Sequence, residues 1–209
     1  MKLAVLGESP ADEAALRIIA ASIIRVQTLD AWEPQLRSRG WPTVRDVLAQ
    51  IIRQLHYATD VDGLIVVVDS NGSQPHAAQH ETVPSDECRL CALSEIARRT
   101  AGDLRKIPVR PSLMIALGLA VPCIEAWYLC GTDPHVSEAT WVNGLRENRR
   151  PYTCIDLKRR VYQTDRPSLT LETQVATHEA LRLAKDLATL NRMFPMGFGP
   201  LYQSLSRWT

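Results

Sequence analysis

The chain has 209 residues, 45% of them apolar and 22% charged, with a formal net charge of +1. This length suits one large domain with a substantial core, and the composition excludes a disordered chain. No stretch has the roughly 18 apolar residues of a membrane helix, and the N-terminus lacks the apolar core of a signal peptide. Five cysteines, an odd number, do not suggest a disulfide framework. We therefore expect a cytoplasmic protein with reduced thiols.

The charges are distributed unevenly along the chain. Residues 1–88 have a net charge of −5, whereas residues 89–166 have a net charge of +5. An acidic half beside a basic half is typical of a metal site next to a phosphate-binding surface. A chance distribution of surface charges gives the same pattern, so the sequence leaves both explanations open.

The predicted elements alternate between strands and helices. The apolar run 3–7 predicts a buried strand, and Ser9 with Pro10 predicts the cap and first turn of a helix that ends near residue 24. Further strands are predicted over residues 25–29, 64–68 and 113–119. Helices are predicted over residues 43–55, 86–101 (capped by Ser85), 122–129, 171–190 and 199–207. Loops or irregular structure are expected over residues 30–41, 70–85 and 131–168.

This order predicts an α/β fold with a parallel four-stranded sheet and helices on both faces. We expect this α/β domain to span residues 1–130. The basic segment and C-terminal helices of residues 131–209 should pack on the same domain.

Three acidic residues are candidates for a metal site. Glu8 and Asp69 directly follow the first and third predicted strands, and functional side chains collect at the carboxyl ends of parallel strands. Glu125 lies in the helix that begins at Pro122. Because Mg²⁺ prefers oxygen ligands and takes one or two carboxylates, these acids, with the amide oxygen of Asn71, predict a site for Mg²⁺ or Mn²⁺.

Two sets of motifs resemble known families. Gly7-Glu8 and the segment Val-Val-Val-Asp-Ser-Asn at 66–71 resemble the Toprim domain of topoisomerases, primases and overcoming-lysogenization-defect nucleases. The segments 122–127 and 194–198 resemble, more narrowly, a family of small Toprim-related proteins classed as a domain of unknown function. That family carries Ile-Glu-Ala-Trp-like and Phe-Pro-x-Gly-Phe-like motifs. The resemblance implies a Toprim-like, Rossmann-like sheet with Mg²⁺ between a Glu and an Asp-x-Asp pair.

The function that the resemblance implies is metal-dependent phosphodiester hydrolysis on nucleic acid. Asp69 and Glu125, helped by Asn71, would hold the cation, and Glu8 would bind metal or move a proton. Similar proteins are often encoded beside ATPases and linked to phage defence, which implies an ATPase partner. The Toprim pattern has a second Asp where this chain has Asn71, and that departure favours an alternative: a catalytically degenerate binding or adaptor module.

A second possible metal site combines histidines and cysteines. The spacing His-x3-His at His76 and His80, followed by Cys-x2-Cys at Cys88 and Cys91, is familiar from zinc sites. It predicts a structural Zn²⁺. The alternative is that both cysteines are core residues of a helix and that the histidines belong to a polar loop.

A run of basic residues predicts contact with nucleic acid phosphates. It comprises Arg146, Arg149, Arg150, Lys158, Arg159, Arg160 and Arg166. Tyr152 and Tyr162 are interleaved with it and would stack on unpaired bases. A solvated face or a protein-docking surface is the other explanation. Dinucleotide, P-loop and nucleophile-elbow motifs do not occur in the sequence.

Overall fold

A computed structural model of the protein describes residues 1–26, 30–32, 40–108 and 110–208. It confirms an α/β fold built on a parallel sheet, with strand order β2-β1-β3-β4. The strands are β1 Lys2–Leu6, β2 Asp30–Trp32, β3 Gly63–Asp69 and β4 Met114–Ala120. β1, β3 and β4 form the body of the sheet, whereas β2 is a three-residue strand at its edge.

Helices cover the sheet. The described helices are α1 Pro10–Ile24, α2 Gly40–Ala58, α3 Arg89–Gly102, α4 Ile124–Tyr128, α5 Glu138–Arg146, α6 Cys154–Tyr162, α7 Leu169–Leu183, α8 Leu187–Met193 and α9 Gly199–Leu205, with a 3-10 turn at Ala78–Glu81. α2 packs against α3, and α1 packs against α7 and α9. Consecutive residues of β3, from Leu64 to Val68, are all buried, so both faces of the sheet are covered. In the part of the chain that the structure describes, no helix has the length and apolarity needed to cross a membrane.

The first βα unit forms as its sequence predicts. β1 ends at Leu6, and Ser9 lies in extended conformation, with its hydroxyl accepting the Asp12 N–H at 3.2 Å. This capping bond and Pro10 at the first helical position begin α1 directly after the strand. Glu8 is therefore held in the short turn between strand and helix.

The second predicted strand is displaced. Arg25 has a left-handed backbone (φ 61°) and ends α1, whereas β2 occupies residues 30–32, where a loop was expected. Residues 27–29 of the predicted strand and residues 33–39 of the predicted loop lie outside the described residues. A three-residue edge strand has too few residues to show a periodicity in the sequence.

The cap predicted for α3 is wrong. Cys88 occupies the N-cap position, and the Ser85 hydroxyl instead accepts the Glu87 N–H and donates to Gln74 Oε1 at 2.6 Å. The helix consequently begins three residues later than predicted. Ser85 fixes the loop before the helix, a use of serine that competes with capping.

The predicted irregular segment contains two helices, α5 and α6. Ser137 and Thr153 cap them, each hydroxyl accepting the backbone N–H three residues on. The single helix predicted over residues 171–190 is divided into α7 and α8, because Asp186 accepts the Thr189 N–H and begins a new helix. Local capping bonds thus decide helix boundaries that the apolar pattern does not show.

The C-terminal segment packs against the end of β4. The Leu119 N–H donates to the Gly197 carbonyl at 3.0 Å, and Glu138 Oε2 accepts the Met196 N–H at 2.9 Å. A Cβ atom on Gly197 would collide with the Leu119 carbonyl oxygen. The Phe-Pro-Met-Gly-Phe segment therefore attaches the C-terminal part of the chain to β4. Helices α7 and α9 share one hydrophobic core with the sheet.

Candidate functional site

A polar cavity of about 200 Å³ lies beyond the carboxyl ends of β1 and β3. Its walls come from the turn after β1, the end of β3 and helices α1, α2, α4, α6 and α7. The charged and phenolic residues that line it are Glu8, Asp12, Asp69, Glu125, Lys158, Tyr162 and Glu172. All three carboxylates predicted as catalytic, Glu8, Asp69 and Glu125, are among them.

Glu8 and Asp69 meet because β1 and β3 are paired neighbours. The Asp69 N–H donates to Glu8 Oε1 at 2.8 Å. Asp69 Oδ1 in turn accepts the Ile124 N–H at 2.9 Å, which links the end of β3 to the first residue of α4. Each carboxylate is thus held in place by a backbone N–H of another element.

Arg89, the first residue of α3, closes one side of this pair. Its Nη1 donates to the Asp69 carbonyl at 2.7 Å and lies 3.6 Å from Glu8 Oε1. Its guanidinium lies 5.1 Å from the centre of the Trp41 ring, a distance at which cation–π attraction operates. Sequence reasoning missed Arg89, since no motif marks it.

Glu125 is the most buried acid of the cavity, with only 4% of its surface exposed. Its Oε1 lies 3.8 Å from Lys158 Nζ, which is also 3.7 Å from Glu172 Oε1. Its Oε2 is buried and has no hydrogen-bond partner in the structure. A buried carboxylate oxygen without a partner is costly, so one acceptor oxygen of Glu125 remains unsatisfied.

The crowded acids disturb one another's protonation. Burial, followed by the negative charge of Glu125, raises the pKa of Asp12 to about 7 and raises that of Asp69 well above its ordinary value. Burial also raises the pKa of Glu8, although the Asp69 N–H and Arg89 oppose it. Burial lowers the pKa of Lys158, but the neighbouring carboxylates, Glu125 first, outweigh it and the net pKa is raised. Such clustered shifts are typical of functional sites.

Asn71, predicted as a fourth ligand, is not among the residues that line the cavity. It has a left-handed backbone (φ 47°), its N–H donates to the Pro122 carbonyl, and its Oδ1 accepts the Cys154 thiol at 3.3 Å. Its side chain is therefore engaged with α6. The structure brings Glu8, Asp69 and Glu125 together without it.

The residues partly fit a divalent cation. The donor set is rich in carboxylates, as Mg²⁺ and Mn²⁺ require, and Glu125 Oε2 lacks a partner. Among the described residues, however, the acids of the cavity do not form a compact group of three ligand atoms. Mg²⁺ usually keeps several waters and binds only one or two carboxylates, so one or two of these acids with waters suit it better than a closed cage.

The predicted basic run divides between surface and cavity. Arg146, the last residue of α5, and Arg149 and Arg150 beyond it are exposed. Arg159 and Arg160, exposed on α6, pair with Asp165 at 3.1 Å and Asp133 at 2.9 Å. Lys158 belongs to the cavity. Tyr152 and Tyr162 are each 5% exposed, so the stacking on bases expected of them has no exposed ring to use.

The predicted His/Cys cluster forms as a compact buried group. Ligand atoms of His76, His80, Cys88 and Cys91 all lie within 4.8 Å of one another, and all four residues are buried. This arrangement can hold a metal ion. The loop before α3 and its first turn bring together the two pairs that the sequence spacing identified.

No family model, curated protein or solved structure matches the chain.

Proposed function

We propose that the acidic cavity hydrolyses phosphodiester bonds in nucleic acid with the help of Mg²⁺ or Mn²⁺, as the Toprim-like resemblance implies. The observation that supports this proposal is the meeting of Glu8, Asp69 and Glu125, from three separate elements, around one cavity. Carboxyl groups gathered in one cavity with raised pKa values are typical of functional sites, and a bound cation would offset their repulsion.

The residues would divide the work as follows. Asp69 and Glu125 would hold the cation, which would supply charge stabilisation and a more acidic water. Glu8, whose Oε1 accepts the Asp69 N–H, would bind metal or accept a proton from the attacking water. Lys158, 3.8 Å from Glu125, is well placed to contact a phosphate oxygen or to protonate the leaving oxygen.

The substrate would approach along the exposed arginines. Arg146 ends α5, and Arg149 and Arg150 follow it. Arg159 and Arg160 lie on α6, the helix that also carries Lys158. A polyanion bound to this surface would run along α6 toward the cavity, because Lys158 on the same helix lines the cavity. Arginines favour phosphate because their planar fork binds two oxygens at once.

A cleavage assay tests this proposal directly. Wild-type protein is incubated with labelled single- and double-stranded DNA and RNA, with Mg²⁺, with Mn²⁺ or with a chelator. Cleavage should require the cation and should fall at least a hundredfold in Glu8→Gln and Asp69→Asn. Asp46→Asn, which removes an exposed acid paired with Arg45 on α2, is the matched control and should retain full activity.

The second candidate is a Toprim-like binding or adaptor module without catalysis, acting in a complex with an ATPase partner. Asn71 supports it, because its oxygen accepts the Cys154 thiol and the acids do not form a closed ligand group among the described residues. Absence of cleavage with every nucleic acid and both cations, with or without a partner ATPase, would favour this candidate. A role in phage defence and a cytoplasmic location are part of either proposal.

The zinc predicted for the His/Cys cluster is a proposal of a different kind. Two thiol and two imidazole groups suit Zn²⁺ better than Mg²⁺ or Mn²⁺. Four protein ligands leave no open position, so the ion would be structural and take no part in hydrolysis.

A further inference from the structure

The connection between β3 and α3 carries a cluster that the acidic cavity does not explain. It contains His76 in the loop, His80 in the 3-10 turn, Cys88 at the N-cap of α3 and Cys91 in the first turn. We infer that this cluster is a closed tetrahedral Zn²⁺ site that clamps the β3–α3 connection and thereby sets the position of Arg89. The inference builds on the zinc proposed above but does not depend on nuclease activity.

The spacing of the ligand atoms fits a tetrahedral ion. His76 Nδ1 lies 3.5 Å from Cys88 Sγ and 3.7 Å from Cys91 Sγ. Zinc–sulfur and zinc–nitrogen bonds of about 2.3 and 2.0–2.1 Å give a tetrahedral N···S edge of about 3.6 Å. Because all four ligand atoms lie within 4.8 Å of one another, no pair has to approach by more than about 1.5 Å to reach the edges of a tetrahedron.

The hydrogen bonds around His76 select the tautomer that a metal needs. His76 Nε2 lies 3.0 Å from Glu81 Oε1. Because an ionised carboxylate only accepts hydrogen bonds, Nε2 is the nitrogen that carries the proton. The lone pair of neutral His76 is then on Nδ1, which faces both thiols. A carboxylate behind a metal-binding histidine is the usual outer-shell partner in zinc sites.

Hydrogen bonds alone do not satisfy this cluster. One lone pair on His76 Nδ1 lies between two thiols. His80, 6% exposed, has a buried Nδ1 without a partner in the structure, and its ring is 5.2 Å from that of His76. Unpartnered polar atoms in a buried site are rare, and one ion at the centre would serve all four side chains.

The end of a helix favours thiolate ligands, whereas burial raises the pKa of the Cys88 thiol to about 11, an effect that a bound cation would offset. Cys88 and Cys91 lie at the N-terminus of the 14-residue helix α3, where the helix dipole favours negative charge. His76, His80 and Cys91 also line a partly open cavity of about 360 Å³. This cavity provides the entry path that a metal site requires.

The proposed zinc site is linked to the acidic cavity through Arg89, the residue next to Cys88. Cys88 directly precedes Arg89, whose guanidinium donates to the Asp69 carbonyl at 2.7 Å. Fixing Cys88 and Cys91 to His76 and His80 therefore fixes the start of α3 relative to the end of β3. Arg89 would then be held from its own helix end as well as by its contacts with Asp69, Glu8 and Trp41.

Metal analysis of the full chain, purified without chelator, tests the site. We expect about one zinc per chain by mass spectrometry. The Cys88→Ser and His80→Ala variants should lose it, whereas the matched control Cys130→Ser, which changes another buried cysteine, should retain it. Glu81→Gln should keep the ion but weaken its affinity about 10–100-fold.

A variant that replaces one zinc ligand by another keeps the test decisive if Cys88→Ser and His80→Ala do not fold. His80→Cys replaces an imidazole by a thiolate and preserves a zinc-binding set. After cobalt substitution, wild type should show the intense visible absorption of a tetrahedral site, and His80→Cys should show stronger sulfur-to-metal charge transfer. Wild-type protein without zinc and without tetrahedral cobalt absorption, or His80→Ala with full zinc content, would overturn the inference. None of these readouts requires nuclease activity.

Discussion

The backbone N–H of Asp69 donates to Oε1 of Glu8 at 2.8 Å, although the two residues are 61 positions apart in sequence. This bond joins the ends of β1 and β3 and uses one carboxylate oxygen of Glu8 for structure. The Trp41 backbone gives this carboxylate a further hydrogen bond, and the proposed chemistry would be a second role of the same side chain. Glu8 therefore has two separable roles, and substitutions can distinguish them.

Glu8→Gln and Glu8→Ala should differ in stability. Glutamine retains a carbonyl oxygen for the Asp69 N–H and removes a charge that burial disfavours. Its free energy of unfolding should thus remain within about 1 kcal/mol of wild type. Alanine leaves the N–H without its acceptor and should cost about 1–3 kcal/mol. Urea unfolding measures both, and equal loss in the two variants would contradict the structural role of this bond.

The pH dependence of stability should depend on Asp12. Burial and Glu125 raise its pKa from 3.8 to about 7, so the folded state holds a proton that the unfolded state releases between these values. This contribution to stability is complete below pH 4 and is lost as the pH rises through 7. Asp12→Asn should therefore become relatively more stable between pH 5 and 8, by about 1–3 kcal/mol. Urea unfolding at both pH values, with wild type in parallel, checks the sign.

Lys158 should matter more to stability than the surface arginines. Its Nζ lies between Glu125 and Glu172, at 3.8 and 3.7 Å, and the side chain of Glu125 is only 5% exposed. Lys158→Met should cost about 1–3 kcal/mol at pH 8, because a buried carboxylate loses its partner in a site that solvent partly screens. Added Mg²⁺ should restore part of this loss if the cavity binds cations.

Arg160→Met is the control for that experiment. Arg160 pairs with Asp133 on the exposed side of the same helix, where an ion pair contributes about 0–1 kcal/mol. Its unfolding free energy should thus change little, with or without Mg²⁺. A loss at Arg160 as large as that at Lys158 would mean that α6 itself, and not the cavity, is sensitive to substitution.

Binding of nucleic acid should weaken steeply with salt if the exposed arginines contact phosphates. Each contact contributes a logarithmic slope of about −0.7 to −0.9. Replacing Arg149, Arg150, Arg159 and Arg160 by Ala should flatten the slope by several units without changing metal binding. Fluorescence anisotropy at several salt concentrations measures it, and a slope near zero in wild type would instead favour a protein-docking surface.

Gly197 should tolerate no side chain. A Cβ there would collide with the Leu119 carbonyl oxygen, so Gly197→Ala must push the C-terminal segment away from β4 and should cost more than about 2 kcal/mol. Gly102→Ala is the matched control, because the space around a Cβ at that position is open and alanine favours the helix. Thermal unfolding should show a large decrease for the first and no decrease for the second.

Much of this protein follows from local sequence. The apolar runs of β1, β3 and β4 predict buried strands, and Ser9 with Pro10 predicts the start of α1, because strand burial and helix capping depend on neighbours in the chain. The positions of Glu8 and Asp69 follow in turn, since carboxyl ends of parallel strands meet at one edge. The spacing of His76, His80, Cys88 and Cys91 likewise identifies a group that the fold then gathers.

Tertiary packing alone decided the rest. Sequence reasoning placed Lys158 with the surface arginines and did not select Asp12, because a helix residue's direction depends on how its helix packs. Tyr162 was expected to stack on bases but is buried for the same reason. Asn71 was counted as a ligand by its position after β3, yet its oxygen accepts the thiol of Cys154, 83 residues away in sequence. Contacts between such distant elements form only when the sheet is assembled, so no local pattern in the sequence records them.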